Sequence, residues 1–139
     1  MSATSTDTVL GFDYGQRRIG VAVGQTITRT ATPLKTLPAR AGQPDWAQVS
    51  ALIKAWQPAR LVVGLPSTAD GAPHPLAAAI TRFGRRLQGR FGVAVEYIDE
   101  RLSSHEAESL CRDGAHEIDA MAARLILETW LNTPRPAVV

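Results

Sequence analysis

One segment limits the fold more than any other. Arg60-Leu61-Val62-Val63-Gly64-Leu65 is an uncharged run behind a single arginine, set between two stretches of helical periodicity. An apolar run of this length, bounded by turn signals, reads as a strand buried on both faces, the condition of a parallel sheet covered by helices. Upstream, Asp45 is placed to cap a helix from Trp46 to Trp56, in which Trp46, Val49, Leu52, Ile53 and Trp56 recur at helical spacing and Pro58 ends it. Downstream, a Pro66–Pro75 loop leads to a helix from Leu76 to about Arg90, then to a strand Val93–Ile98 that stops at Asp99-Glu100. Before the first helix, Val9–Tyr14 reads as a strand, Gly15–Arg18 as a turn, Ile19–Gly24 as a second strand and Ile27–Leu37 as a third, two successive hairpins. Ser103 and Glu106 form a capping box for a short helix closed by Gly114, and a last helix runs from near Ile118 to Leu131. This order predicts an α/β fold: a mixed five-stranded sheet, three antiparallel strands plus two parallel ones reached by helical crossovers, flanked by helices.

A chain of 139 residues, 45% hydrophobic, is long enough for one compact domain and too short for a second catalytic one, with an ordered core expected at about 8–132. Cys111 is the single cysteine, which excludes an intrachain disulfide and a cysteine-based zinc cluster and points to a reducing compartment. Met1–Thr8 has neither the basic nor the apolar region of a signal peptide, and no uncharged run reaches membrane-span length. A soluble cytoplasmic chain with no membrane partner is expected. Fifteen Lys and Arg against 13 Asp and Glu suit a polyanionic partner without requiring one.

The chemistry sits in the acids. Asp13 ends an apolar strand whose neighbours are also apolar, where an uncompensated charge is costly. Asp99 and Glu100 end another strand, and parallel neighbours finish on the same edge. Asp119 precedes Ala122, Ala123 and Ile126 by three, four and seven residues, the spacing of one apolar helical face. Converging carboxylates repel, and a hard divalent cation with oxygen ligands, Mg²⁺ or Mn²⁺, is the simplest compensation. Two such ions suit phosphodiester hydrolysis. Taken singly, Asp119 also reads as an N-cap, Asp13 as a turn acceptor, and Asp99 or Glu100 as a partner of Arg101.

Four stretches in order resemble the YqgF/RuvX family of Holliday junction resolvases and pre-16S rRNA nucleases with an RNase H-like fold. They are Gly11-Phe12-Asp13-Tyr14-Gly15 with Arg18–Ala22; Val63–Pro66 with Asp70-Gly71; Asp99–Ser103; and Ile118-Asp119 with Ala122-Ala123 and Ile126-Leu127. The resemblance spans about Val9 to Leu131. It implies that Asp13, Glu100 and Asp119 are catalytic, metal-binding acids, with Asp99 the lesser alternative to Glu100. It also implies a substrate of structured RNA, the 5′ end of pre-16S rRNA, with a DNA junction as the alternative. Two departures stand out: Ser67-Thr68-Ala69 replaces the family's Leu-Asn-Met, and Arg112–Glu117 is short, with His116 where a Lys is common.

Arg82, Arg86 and Arg90 recur every four residues, a stripe that fits either a phosphate backbone or a solvated face. Arg17 and Arg18, in the turn after the Asp13 strand, join Arg101 and His116 as nucleic-acid-binding candidates. His74 and His105 have no partner at metal-ligand spacing, Cys111 is a small packing residue, and Trp46, Trp56 and Trp130 are packing residues of helices. A monomer or weak homodimer is expected. Two rivals remain: Asp13-Tyr14-Gly15 followed by a hairpin also looks like the phosphate turn of actin-like ATPases, and a non-catalytic RNA-binding module would keep the same fold. If His116 replaces a phosphate-binding Lys, it does so only when protonated. Cleavage then falls from pH 6 to pH 8 in the wild type, and a flat profile together with a fully active His116→Ala variant removes that role.

Overall fold

The computed structural model describes residues 8–65, 76–99 and 115–133, the side chains of Asp99 and of 115–119 excepted. The Pro66–Pro75 loop and the short helix predicted from Ser103 to Gly114 lie outside the described residues. The elements are β1 (Thr8–Asp13), β2 (Arg18–Gln25), β3 (Thr30–Arg40), β4 (Gln43–Pro44), α1 (Trp46–Trp56), β5 (Arg60–Leu65), α2 (Ala77–Phe91), β6 (Ala94–Asp99) and α3 (Ala115–Asn132). One sheet runs in the order β4-β3-β2-β1-β5-β6. β2 pairs antiparallel with β1 and β3, whereas β5 pairs parallel with β1 and β6.

The mixed α/β architecture is therefore as expected, but among the described residues the sheet has six strands, not five. The addition is β4, which returns along Ala39 and Arg40 after the two-residue turn Ala41-Gly42. Both turn residues have positive φ, 50° and 81°, as a tight hairpin of this hand requires. Ala at the first position is a poor signal for such a turn, so the sequence did not announce it. The third strand also starts later than its predicted Ile27. Thr26–Arg29 is a turn, closed by the Arg29 N–H donating to the Gln25 carbonyl at 2.9 Å, and Ile27 at its tip is 75% exposed. Within β3 the register against β2 steps from Val21↔Lys35 to Ala22↔Pro33, leaving Leu34 as the extra residue of a bulge beside a proline that has no N–H to give.

Strand alternation sorts the side chains between two layers. Leu10, Phe12, Ile19, Val21, Leu61 and Val63 pack with Val49 and Ile53 of α1 and Ile80, Phe83 and Leu87 of α2. Val9, Ala22 and Val62 pack on the opposite face with Ala123, Ile126, Leu127, Trp130 and Leu131 of α3. Burying Ile126 and Leu127 completely contributes about 1.5–3 kcal/mol each. The ends of the covering helices are well closed: Asp45 accepts from the Ala47 N–H at 3.0 Å, and Gly92 at φ 67° donates to the Gln88 carbonyl at 2.9 Å. On the α3 side, Glu96 of β6 accepts from the Trp130 indole at 3.1 Å and pairs with Arg60 of β5.

Two glycines set how closely α3 approaches. A Cβ on Gly11 would stand 2.9 Å from Leu127 Cβ and 3.3 Å from the Ala123 carbonyl; one on Gly24 would stand 2.9 Å from Leu127 Cδ2 and 3.0 Å from Leu131 Cδ1. At Gly11 the obstacles are backbone and Cβ, which cannot swing aside. Gly11→Ala is expected to destabilise the fold by about 1–3 kcal/mol through overpacking, read as a lower urea midpoint with an unchanged slope.

Candidate functional site

β1, β5 and β6 run parallel and finish on one edge of the sheet, so residues near that edge come together whatever their separation in the chain. Phe12, Val63 and Tyr97 stand in register, and the next row holds Asp13, Gly64 and Ile98. Asp13 is half-buried. It shares its parity with Val9 and Gly11, which places it on the face that meets α3. Ile98 packs into that same layer. Gly64 between them has no side chain. α3 runs against β1, with Leu131 near Gly24, the partner of Val9, and Ala123 near Gly11.

Past Asp13 the chain turns over the edge. Gly15 is required there, since a Cβ would stand 2.5 Å from the Arg18 carbonyl oxygen. Three hydrogen bonds tie this turn to the corner between β3 and β4: the Gly42 N–H donates to the Gln16 carbonyl at 2.9 Å, the Ala39 N–H to the Arg17 carbonyl at 2.8 Å, and the Tyr14 hydroxyl to the Gly42 carbonyl at 3.1 Å. Gly15, Gln16, Arg17 and Arg18 line an open cleft of about 330 Å³ with Leu76. Gln16 also lines a second, narrower cleft of about 150 Å³ with Tyr14, Ala41–Gln43, Trp46, Ala79, Phe83, Arg82 and Arg86. The turn arginines and the α2 arginines, separate features in the sequence, thus border adjoining clefts.

α2 carries Arg82, Arg85, Arg86 and Arg90 and no acid. Arg90 lies over the Trp46 ring, 4.4 Å from its centroid. Arg82, Arg85 and Arg86 are exposed, and none pairs with a carboxylate among the described residues. Gly84 opens α2 to Tyr97, whose hydroxyl donates to the Thr81 carbonyl at 3.4 Å. Burial raises the pKa of this phenol above its ordinary value, and Arg85 partly offsets the rise.

Asp13 thus lies on an interior strand, at the sheet edge expected of it. Asp119 lies in α3, one turn before Ala123, with its side chain outside the described residues. Glu100 and Arg101 lie outside them entirely, as do the side chains of Asp99 and His116. No group of three His, Cys, Asp or Glu is gathered among the described residues, a set that omits these acids. Trp130 is buried as expected and Trp56 is 37% exposed. Trp46 does more than pack, because it lines the narrow cleft. Tyr14 and Gln16 were visible only as parts of the motif and turn after the Asp13 strand, and the 41–43 corner not at all, since only the tertiary fold brings them to Arg82 and Arg86.

The sequence model of the family described as "RuvX: Holliday junction resolvase" matches residues 7–133. The chain belongs to the RuvX family. A RuvX relative from Nitrosococcus oceani, named "Putative pre-16S rRNA nuclease", is 52% identical over 129 residues, covering 88% of this chain and 85% of the relative. One of the same name from Azotobacter vinelandii is 50% identical over 136 residues, covering 93% and 95%. Among solved structures, Thermus thermophilus RuvC, determined in complex with a Holliday junction substrate, superposes with a TM-score of 0.55 at 16% identity, over 90% of this chain and 93% of that one. A second structure of Thermus thermophilus RuvC gives 0.51 at 14% identity, over 89% and 93%. The RuvX chain therefore has the RuvC-like, RNase H-like fold. Because its edge turn has no room at Gly15, Gly15→Ala is expected to lower stability by about 1–3 kcal/mol, measured by thermal unfolding, and to shift the amide resonances of Arg17 and Arg18.

Proposed function

We propose that this protein is a divalent-metal-dependent nuclease acting on RNA, with the 5′ end of pre-16S rRNA, the substrate in its relatives' name, as its target in the cytoplasm. Asp13, Glu100 and Asp119 form its catalytic, metal-binding set. The observation that carries this reading is the alternation of strands around one face. Asp13 shares the α3 face with Gly11. Glu96 and Ile98 are the β6 residues that meet α3, and Glu100 comes two positions after Ile98 in the sequence. Glu100 rather than Asp99 is the acid that the family resemblance puts in this set. On α3, Asp119 is one turn before Ala123, about 6 Å along the axis, while Asp13 is about 7 Å beyond Gly11 along β1 in the matching direction.

Three carboxylates and no sulfur or imidazole make a hard oxygen donor set, the kind that suits Mg²⁺ or Mn²⁺ and fits two ions. When bound, such ions supply charge neutralisation at a phosphate and acidify water. The chain's own part is to hold Asp13 half-buried at the end of an interior strand. Arg17, Arg18, Arg82, Arg86, Arg90, Arg101 and His116 supply positive charge for the nucleic-acid backbone.

The deciding experiment is a cleavage panel with Mg²⁺, Mn²⁺ or chelator, using a precursor-rRNA 5′ fragment, an unstructured RNA and a four-way DNA junction. Cleavage of the precursor fragment with either metal, lost in chelator, is expected. In Asp13→Asn it falls to background while the thermal midpoint holds or rises, since carboxylate repulsion is relieved. Full activity in Asp13→Asn removes the acidic set, equal activity in chelator removes the metal, and preference for the junction replaces RNA with DNA.

A further inference from the structure

The narrow cleft lies on the other side of the sheet from Asp13. Tyr14, the next residue, has the opposite parity and packs against Phe83, ring centroids 5.1 Å apart. Trp46 packs on Phe83 as well, at 5.9 Å. Arg82 and Arg86 of α2 line the same cleft, as do Gln16 and Gln43. The space, about 150 Å³, falls below the usual range for a whole small-molecule ligand. It suits one flat ring or one anionic group. An anion alone has little use for an aromatic lining, and an apolar ligand has little use for two exposed guanidinium groups. A nucleotide uses both: a ring to set among aromatics, an edge to meet amides and a phosphate to meet arginine.

Ala41, at φ 50° in the turn between β3 and β4, also lines this cleft. Among the described residues, the Gly15–Arg18 turn follows Asp13, and its own arginine-bordered cleft shares Gln16 with this one.

We propose that the Tyr14–Trp46–Arg82–Arg86 cleft is a docking subsite for one unpaired nucleotide of the substrate, reached by a single-stranded segment that crosses the sheet edge over Arg17 and Arg18. The proposal rests on the nuclease reading above and extends it: the site selects RNA with a single-stranded tail beside the cut, and the two faces of the sheet read different parts of one strand.

Binding tests it apart from cleavage. Asp13→Asn protein is titrated by fluorescence anisotropy with a labelled RNA hairpin, blunt or carrying a short unpaired tail, at several salt concentrations. Tighter binding of the tailed RNA is expected. Trp46→Ala reduces that advantage by about fivefold or more, and Ala79→Met, which fills the cleft and removes no packing, abolishes it in a protein whose thermal midpoint is unchanged. Arg82→Ala with Arg86→Ala lowers the salt slope by about 0.7 for each phosphate no longer neutralised, and by more for the tailed RNA than for the blunt one. Equal affinity for blunt and tailed RNA in the parent, an unaltered tail advantage in folded Ala79→Met, or equal losses on both RNAs overturns the subsite. Any of these leaves the cleavage result standing, and absent cleavage with a cleft-dependent tail advantage sinks the nuclease reading alone.

Discussion

The packing of α3 on the middle of the sheet governs the rest of this structure. Gly11 and Gly24 remove two side chains from the face of β1 and β2, and Leu127 and Leu131 drop into the space they leave. This seating fixes the rotation and height of α3. It therefore fixes which helical residues stand over the C-terminal end of β1, where Asp13 lies. Acids on a strand and on a helix distant in sequence can serve one site only if that seating is rigid, and the buried row Ala123, Ile126, Leu127, Trp130 and Leu131 provides the rigidity. The Trp130 bond to Glu96 extends the same anchoring to the outermost parallel strand.

The second organising element is the turn that joins β1 to β2. Backbone amides of Ala39 and Gly42 hold the carbonyls of Arg17 and Gln16, and Tyr14 returns a bond to Gly42. The corner at Ala41-Gly42 thus braces the turn next to Asp13 while bordering the narrow cleft itself. Charge is arranged to match: α2 presents its arginines on the exposed side and its Ile80, Phe83 and Leu87 inward.

Much of this was legible in the residues. The buried run at 61–65 announced a strand covered on both faces, and Asp45 and Pro58 bracketed α1 correctly because capping and helix breaking are local effects. Asp13 at a strand end and Asp119 on an apolar helical face carried recognisable spacing. What could not be read depends on distant partners. β4 forms because Gln43 and Pro44 meet Ala39 and Arg40 across an unusual Ala-Gly turn, and Ile27, apolar and β-branched, sits exposed because the hairpin needed its turn there. The stripe of Arg82, Arg86 and Arg90 was visible, but not that Arg90 would cover Trp46 while the other two border a cleft. Helical periodicity shows which residues share a face and is silent on what that face meets.

The irregularity of β3 has a further bearing. Along most of its length this strand has no outer neighbour among the described residues, and such a border ordinarily invites a foreign strand to add on. Pro33 and Pro38 withhold donors, and the extra residue Leu34 breaks the repeat that an added strand would have to follow. That margin is poorly matched to sheet extension, because an incoming strand would meet missing donors and a broken register along it.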